Sequence, residues 1–144
     1  MSYSHCLRIW SMSGLLALAV PALAGAPAAQ PTEIVKPLME KALAGMPQKE
    51  ISMLTVEYLA GGASLPHRHD AQVFVYVLEG ALQMQVAGGP LLTLHPGETF
   101  YEGPADVHAV SANASKTKPA KILVFMVKDK AAPATRGVPP AGER

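Results

Sequence analysis

The sequence predicts one all-β domain, a sandwich or closed barrel of about eight short strands, and three observations predict it. Apolar, β-prone runs recur through the middle of the chain. Glycine and proline punctuate them at Gly61-Gly62, Gly80, Gly88-Gly89-Pro90 and Pro96-Gly97. Neither an internal repeat nor a glycine-rich phosphate loop breaks the pattern. Closely spaced short strands with turn signals between them belong to sandwiches and barrels.

The first 24 residues read as a secretory signal rather than as part of that fold. Arg8 is the only charged residue before Glu33. The run Gly14–Ala24 is apolar but too short to cross a bilayer as a helix. It ends in Ala22-Leu23-Ala24, a small-x-small cleavage pattern. Cleavage after Ala24 gives a periplasmic or secreted protein without a membrane anchor. It also removes Cys6, the only cysteine, which excludes thiol nucleophiles and cysteine-type zinc sites from the mature chain. Arg8 leaves too, so basic and acidic residues balance at 11 each. That balance argues against a nucleic-acid partner and against a basic membrane surface. A small molecule or an ion is the expected partner.

Residues 25–48 comprise an Ala/Pro/Gln leader and a short N-terminal segment. Between Thr32 and Met46, apolar residues at Ile34, Val35, Leu38, Met39 and Leu43 follow a 3.6-residue spacing. This predicts a short helix or a loose wrapping segment, interrupted by Pro37. The barrel occupies 49–130. Its strands are Ile51–Leu59, Val73–Leu78, Leu82–Val86, Leu91–Leu94, Thr99–Glu102, Val107–Ser111 and Ile122–Val127. The last is continuously apolar, which predicts cover on both faces. In the second, Val73, Val75 and Val77 form one face and Phe74, Tyr76 and Leu78 the other. A second apolar face predicts either a sheet-to-sheet homodimer or packing against the N-terminal segment. Residues 131–144, rich in Pro, Ala and Gly, form a flexible tail.

His67 and His69 stand two apart. On a strand they share a face, with roughly 6–7 Å between them. Pro66 biases the preceding residue toward extended backbone. His108 lies in a late strand, which antiparallel jelly rolls bring beside an early one. Three imidazoles with open positions suit a divalent transition metal: zinc, iron, manganese, nickel or copper. His95, beside Pro96-Gly97, reads as a surface residue, and Arg68 points away from its neighbours. Tyr101 and Glu102 point opposite ways. Glu102 is a candidate general base if it faces inward; the plainer reading makes it a solvated strand residue. Tyr58, Gln83, Gln85 and Asp106 are the other polar residues near the expected pocket.

The stretch GGASLPHRHDAQVFVYVLEG, Gly61–Gly80, resembles the first motif of the cupins: glycine, five residues, His-x-His, an acidic ligand, six residues, glycine. The stretch GETFYEGPADVHAVSAN, Gly97–Asn113, resembles the second motif, which supplies the last histidine. The phrases VYVLEG, PGETFYEGP and NASKTKPAKILVF resemble those of small exported cupins. The second motif is altered at Gly103 and Ala105 and carries one extra residue between His108 and Asn113. The resemblance implies a double-stranded β-helix, the jelly-roll barrel of the cupins, with a metal on His67, His69 and His108.

At the position where many cupins carry a glutamate ligand stands Val73. Gln72, the residue before it, points to the opposite face from His67 and His69 if the strand is regular; a bulge between His69 and Val73 would turn its amide inward, as a fourth ligand or to hold a metal-bound water. Without an anionic ligand the site would carry a net charge near +2. The fold serves dioxygenases, isomerases and decarboxylases. Three readings therefore stand: a metal-dependent enzyme of the cell envelope acting on a small organic molecule, of oxygenase or isomerase type; a non-catalytic barrel that binds a metal or small ligand; and an apo structural barrel with a vestigial site.

Overall fold

The structure is a computed structural model that describes residues 32–138. The expected signal segment, the leader and the last six residues lie outside the described residues. Ten strands run in chain order: β1 (Glu33–Leu43), β2 (Met46–Tyr58), β3 (His67–Arg68), β4 (Ala71–Glu79), β5 (Leu82–Val86), β6 (Leu92–Leu94), β7 (Thr99–Glu102), β8 (Val107–Asn113), β9 (Ala120–Asp129) and β10 (Arg136–Gly137). They form two five-stranded sheets, β1-β2-β9-β4-β7 and β10-β3-β8-β5-β6, with antiparallel pairing throughout. This is the jelly-roll class that the strand pattern and the motifs implied. Among the described residues no helix is long and apolar enough to cross a membrane.

Alternation builds the core. Along β4, Ala71, Val73, Val75 and Val77 point inward, while Gln72, Phe74, Tyr76 and Leu78 are exposed. On β9, Ile122, Val124 and Met126 complete the same inner face. Leu82, Met84 and Leu94 face them from the opposite sheet. Each such side chain contributes about 1.5–3 kcal/mol by leaving water. Gly80 closes the β4–β5 turn with φ of +75°, and a Cβ there would lie 2.7 Å from that of Ala120.

Two expectations need correction. The Thr32–Met46 segment is neither helix nor loose wrap. It is β1, paired with β2 from Glu33↔Tyr58 onward, with a bulge between Pro37 and Met39. Proline is tolerated because β1 is an edge strand with no neighbour on its other side. The run Ile122–Val127 is not covered on both faces: Leu123, Phe125 and Val127 are only half-buried. Because β1 pairs edgewise, it leaves the outer face of β4 uncovered, and a shallow groove runs there between Phe74, Tyr76, Leu123 and Phe125. The segment after β9, expected as tail, is described as far as residue 138. It is held by Lys128, whose buried ammonium bonds both Glu50 and the carbonyl of Ala132, and by the pairing of β10 with β3.

Candidate metal centre

Two sheets converge on one point. Gly61-Gly62 turn the chain out of β2, braced by hydrogen bonds from Leu59 N to Thr32 O and from Thr32 Oγ1 to Ala63 O, and Pro66 leads it into the short β3. There His67 sits directly opposite His108 of β8. His69 follows two residues later on the same side. From the other sheet, Glu102 at the end of β7 lies opposite Val73 of β4. The three imidazoles and this carboxylate offer ligand atoms that all lie within 4.8 Å of one another. His67 and His69 ring centres are 4.9 Å apart, and His67 and His108 5.1 Å apart. Glu102 Oε2 is 3.2 Å from His108 Nδ1 and 3.7 Å from His69 Nε2. Bonds of about 2.1 Å to one ion require ligand atoms on the order of 3–4 Å apart, so a small contraction closes the shell.

Backbone carbonyls orient two of the rings. His67 Nδ1 donates to Leu65 O at 2.7 Å, and His69 Nδ1 donates to Ala134 O. With Nδ1 carrying the proton, each ring presents a bare Nε2 to the centre. Burial lowers the His67 pKa, helped by the neighbouring His69 and His108 and opposed by the Leu65 carbonyl and Glu102. The neutral ring, which is the ligand form, is thereby favoured. His108 stacks on Phe100, ring centres 5.6 Å apart.

Whether a metal fits is decided by the unpaired atoms. Glu102 is 2% exposed and His108 3%. Glu102 Oε2 and both nitrogens of His108 are buried without a hydrogen-bond partner, since the 3.2 Å approach between them is not aligned as a bond. A buried carboxylate oxygen and imidazole left in this state cost several kcal/mol unless a cation joins them. The donor set, three imidazoles and one carboxylate, suits a divalent transition ion.

The structure places the remaining candidate residues. Gln72 does not turn inward. The β4–β9 register is unbroken from Ala71 to Val77, so parity holds, and Gln72 is exposed on the outer face, accepting a hydrogen bond from Tyr101. Tyr101 is therefore also outside. Glu102 is not a solvated strand residue; it fills the place Val73 leaves empty, from the neighbouring strand. The site charge with a divalent ion is thus near +1, not +2. Arg68 and His95 are exposed. Asp106 caps its own turn at Gly103 N, and Asn113 ties Leu59 and Lys118 carbonyls together.

A cavity of about 350 Å³ opens beside the cluster. Its walls are aliphatic (Leu54, Val56, Val73, Val75, Ile122, Val124 and Met126), and Ala134, Thr135 and Gly137 form part of its rim. Tyr58, Ser64, Ser111 and Glu33 form a polar group on the same lining. Sequence reasoning missed most of these. Ser111 lies three residues from His108, which by strand parity would face it the other way. The β5–β8 pairing steps from Gln85↔Val110 to Val86↔His108, so Ala109 is an extra, bulged residue that restores both to the inner face.

The family model for the cupin domain matches residues 54–126, just over half of the chain. No curated protein matches in sequence. Among solved structures, an oxalate oxidase in complex with the substrate analogue glycolate aligns with TM-score 0.59 and 23% identity, over 80% of this chain and 59% of that one. The DMSP lyase DddQ from Ruegeria pomeroyi aligns with TM-score 0.61 and 21% identity, over 78% and 54%. The protein thus spans little more than half the length of these two. KdgF from Halomonas sp. aligns with TM-score 0.54 and 21% identity, over 67% and 82%. At these identities the likeness is one of fold.

Proposed function

Because the chain belongs to the cupin-domain family (Cupin_2), we propose that it is an exported cupin holding one divalent transition metal on His67, His69, Glu102 and His108, and that it acts on a small organic acid. The observation that carries this reading is the buried, unpaired state of Glu102 Oε2 and of both His108 nitrogens. The export part rests on the apolar run Gly14–Ala24 and its Ala-x-Ala end.

A metal bound there supplies Lewis acidity toward an oxygen of the bound molecule. The protein's own residues do the rest. Leu65 and Ala134 carbonyls fix the tautomers of His67 and His69. Glu102 offsets one of the ion's two charges. The aliphatic walls exclude water and strengthen the electrostatics within. His67, His69, Glu102 and His108 would hold the ion, and one that takes more than four ligands would have room for an oxygen of the bound molecule. The cavity lies at the small end of small-molecule sites, which favours a compact substrate; chemistry of oxygenase or isomerase type is what the cupin resemblance implies for such a site. A non-catalytic binder is favoured instead by one observation: once Glu102 is committed to the metal, no further carboxylate or imidazole among the described residues joins the cluster.

Metal analysis of protein purified without chelator tests the reading. One metal ion per chain is expected in the wild type, with strong depletion in His67→Ala, His108→Ala and Glu102→Ala. Wild-type protein that stays metal-free after incubation with manganese, iron, nickel, copper and zinc overturns it.

A further inference from the structure

We propose that the pocket selects small organic acids with a single carboxylate and a hydrogen-bond donor, a hydroxyl or ammonium, at the far end, read by Ser111 through a directed chain Ser111–Tyr58–Ser64–Glu33. This rests on the metal reading above, which places the carboxylate at the other end of the cavity.

The direction of the chain follows from counting protons. Ser64 Oγ donates to Glu33 Oε2. A serine has one hydroxyl proton, so Ser64 can only accept from Tyr58, whose oxygen lies 3.1 Å away. The Tyr58 proton is then spent. The 2.6 Å bond between Tyr58 and Ser111 must therefore run from Ser111 to Tyr58. Every proton points toward Glu33. Ser111, 3% exposed and on the cavity lining, is left with lone pairs and no proton to give. Burial raises the Tyr58 pKa, and Glu33 and Glu102 add to the rise against the two serine bonds. The phenol stays protonated and the chain keeps its direction.

Charge agrees with proton order. Among the described residues, no lysine or arginine lines the cavity. The one buried lysine nearby, Lys128, is committed to Glu50 and the Ala132 carbonyl. The metal end carries about +1 and so balances one carboxylate. A second carboxylate at the far end would meet only the Ser111 lone pairs and the negative charge of Glu33. A hydroxyl or ammonium would find an acceptor waiting. Between the ends the aliphatic walls suit a short methylene body. The spacing is set by β8: with Ala109 bulged, His108 and Ser111 stand opposite Val86 and Met84, two residues apart on β5, roughly 6–7 Å along the strand.

The test is calorimetric titration of metal-loaded, full-length mature protein with matched acids: butyrate, γ-hydroxybutyrate and succinate, then the six-carbon set hexanoate, ω-hydroxyhexanoate and adipate. In at least one set the hydroxy acid should bind about three- to tenfold more tightly than the plain acid, and the dicarboxylate at least tenfold more weakly than the hydroxy acid. Ser111→Ala should erase the hydroxyl preference while keeping the metal content of the wild type. Glu33→Gln should narrow the gap to the dicarboxylate, because an amide removes the charge and lets the chain reverse. Protein that takes up no metal overturns the proposed function and this proposal with it. Protein that holds its metal but binds the dicarboxylate as tightly as the hydroxy acid, binds neither, or keeps the hydroxyl preference in Ser111→Ala overturns this proposal alone.

Discussion

Replacing Glu102 by Gln should make the metal-free protein more stable and the metal-loaded protein less so. In the absence of an ion, Glu102 Oε2 is a buried acceptor with no partner, 2% exposed and wedged between His69 and His108. An orphaned buried group of this kind costs about 1–3 kcal/mol. The glutamine amide has nearly the same shape but carries N–H groups. One of them stands where the oxygen now lies, 3.7 Å from the bare Nε2 of His69, and needs only a small rotation to donate to it. Relief of about 1–2 kcal/mol should raise the melting temperature of a domain this size by roughly 4–8 °C. With metal the sign reverses. A ligand present at 100 times its Kd stabilises the native state by about 2.7 kcal/mol, and the variant, without its anionic donor, should lose most of that gain. The assay is calorimetric melting of both proteins in chelator and in excess manganese or zinc. Two crossing stability orders are expected. A variant that melts below wild type in chelator, yet gains as much from metal, would show that Glu102 is a structural acid and not part of the centre.

Further outcomes follow from the same geometry. His67→Ala and His108→Ala should each lose metal at least tenfold in affinity, whereas His95→Ala, altering an exposed ring, should bind like wild type; metal titrations read both. In chelator, stability should fall with acidification: the folded-state pKa of His67 is lowered, so its neutral ring stabilises the fold fully above about 6.5 and that contribution is lost as pH drops through the lowered value. Melting from pH 8 to 5 should show this slope, and His67→Gln should flatten it. The outer groove, with Phe74 47% and Tyr76 44% exposed, should pair two copies. Sedimentation at high micromolar concentration should give a dimer that Phe74→Lys dissociates, and a wild-type monomer would refute it.

The two-sheet jelly roll was legible because its strands alternate. Val73, Val75 and Val77 against Phe74, Tyr76 and Leu78 fixes which face is buried without any knowledge of partners. The His67–His69 pair was legible for the same reason. What escaped sequence reading was set by long-range pairing. Local spacing in Thr32–Met46 fitted a helix, but the unpaired edge of β2 offered ten residues of ladder, and tertiary pairing outweighs so weak a periodicity. Nothing local told whether Tyr101 or Glu102 faces inward; the register Val73↔Glu102 between β4 and β7 decided it. The Ala109 bulge, which turns both His108 and Ser111 to the pocket, depends on β5. The Ala134 carbonyl reaches His69 from 65 residues away, out of a segment whose composition suggested only a tail.

The relation between Val73 and Glu102 has a consequence that can be tested by exchange. The two are partners across an antiparallel pair, so their Cβ atoms lie about 4.5–5.5 Å apart and point to the same interior. Both line the cavity. A carboxylate on either strand therefore reaches nearly the same point, with a side chain as long as glutamate to absorb the difference. Adding one at Val73 while Glu102 remains puts two buried carboxylates side by side in an aliphatic wall. Like charges at that distance repel and neither has a counter-ion without metal, so Val73→Glu alone should melt well below wild type in chelator, by at least 2–3 kcal/mol. Moving the group instead, with Val73→Glu and Glu102→Val together, restores one carboxylate and one apolar residue. The double variant should recover most of that stability and bind metal within about tenfold of wild type, whereas Glu102→Val alone should bind far more weakly. Such non-additivity is what contact between two positions produces. If the double variant binds no better than Glu102→Val, the carboxylate at position 102 contributes something that position 73 cannot reach, and the equivalence of the two strands as donors is wrong.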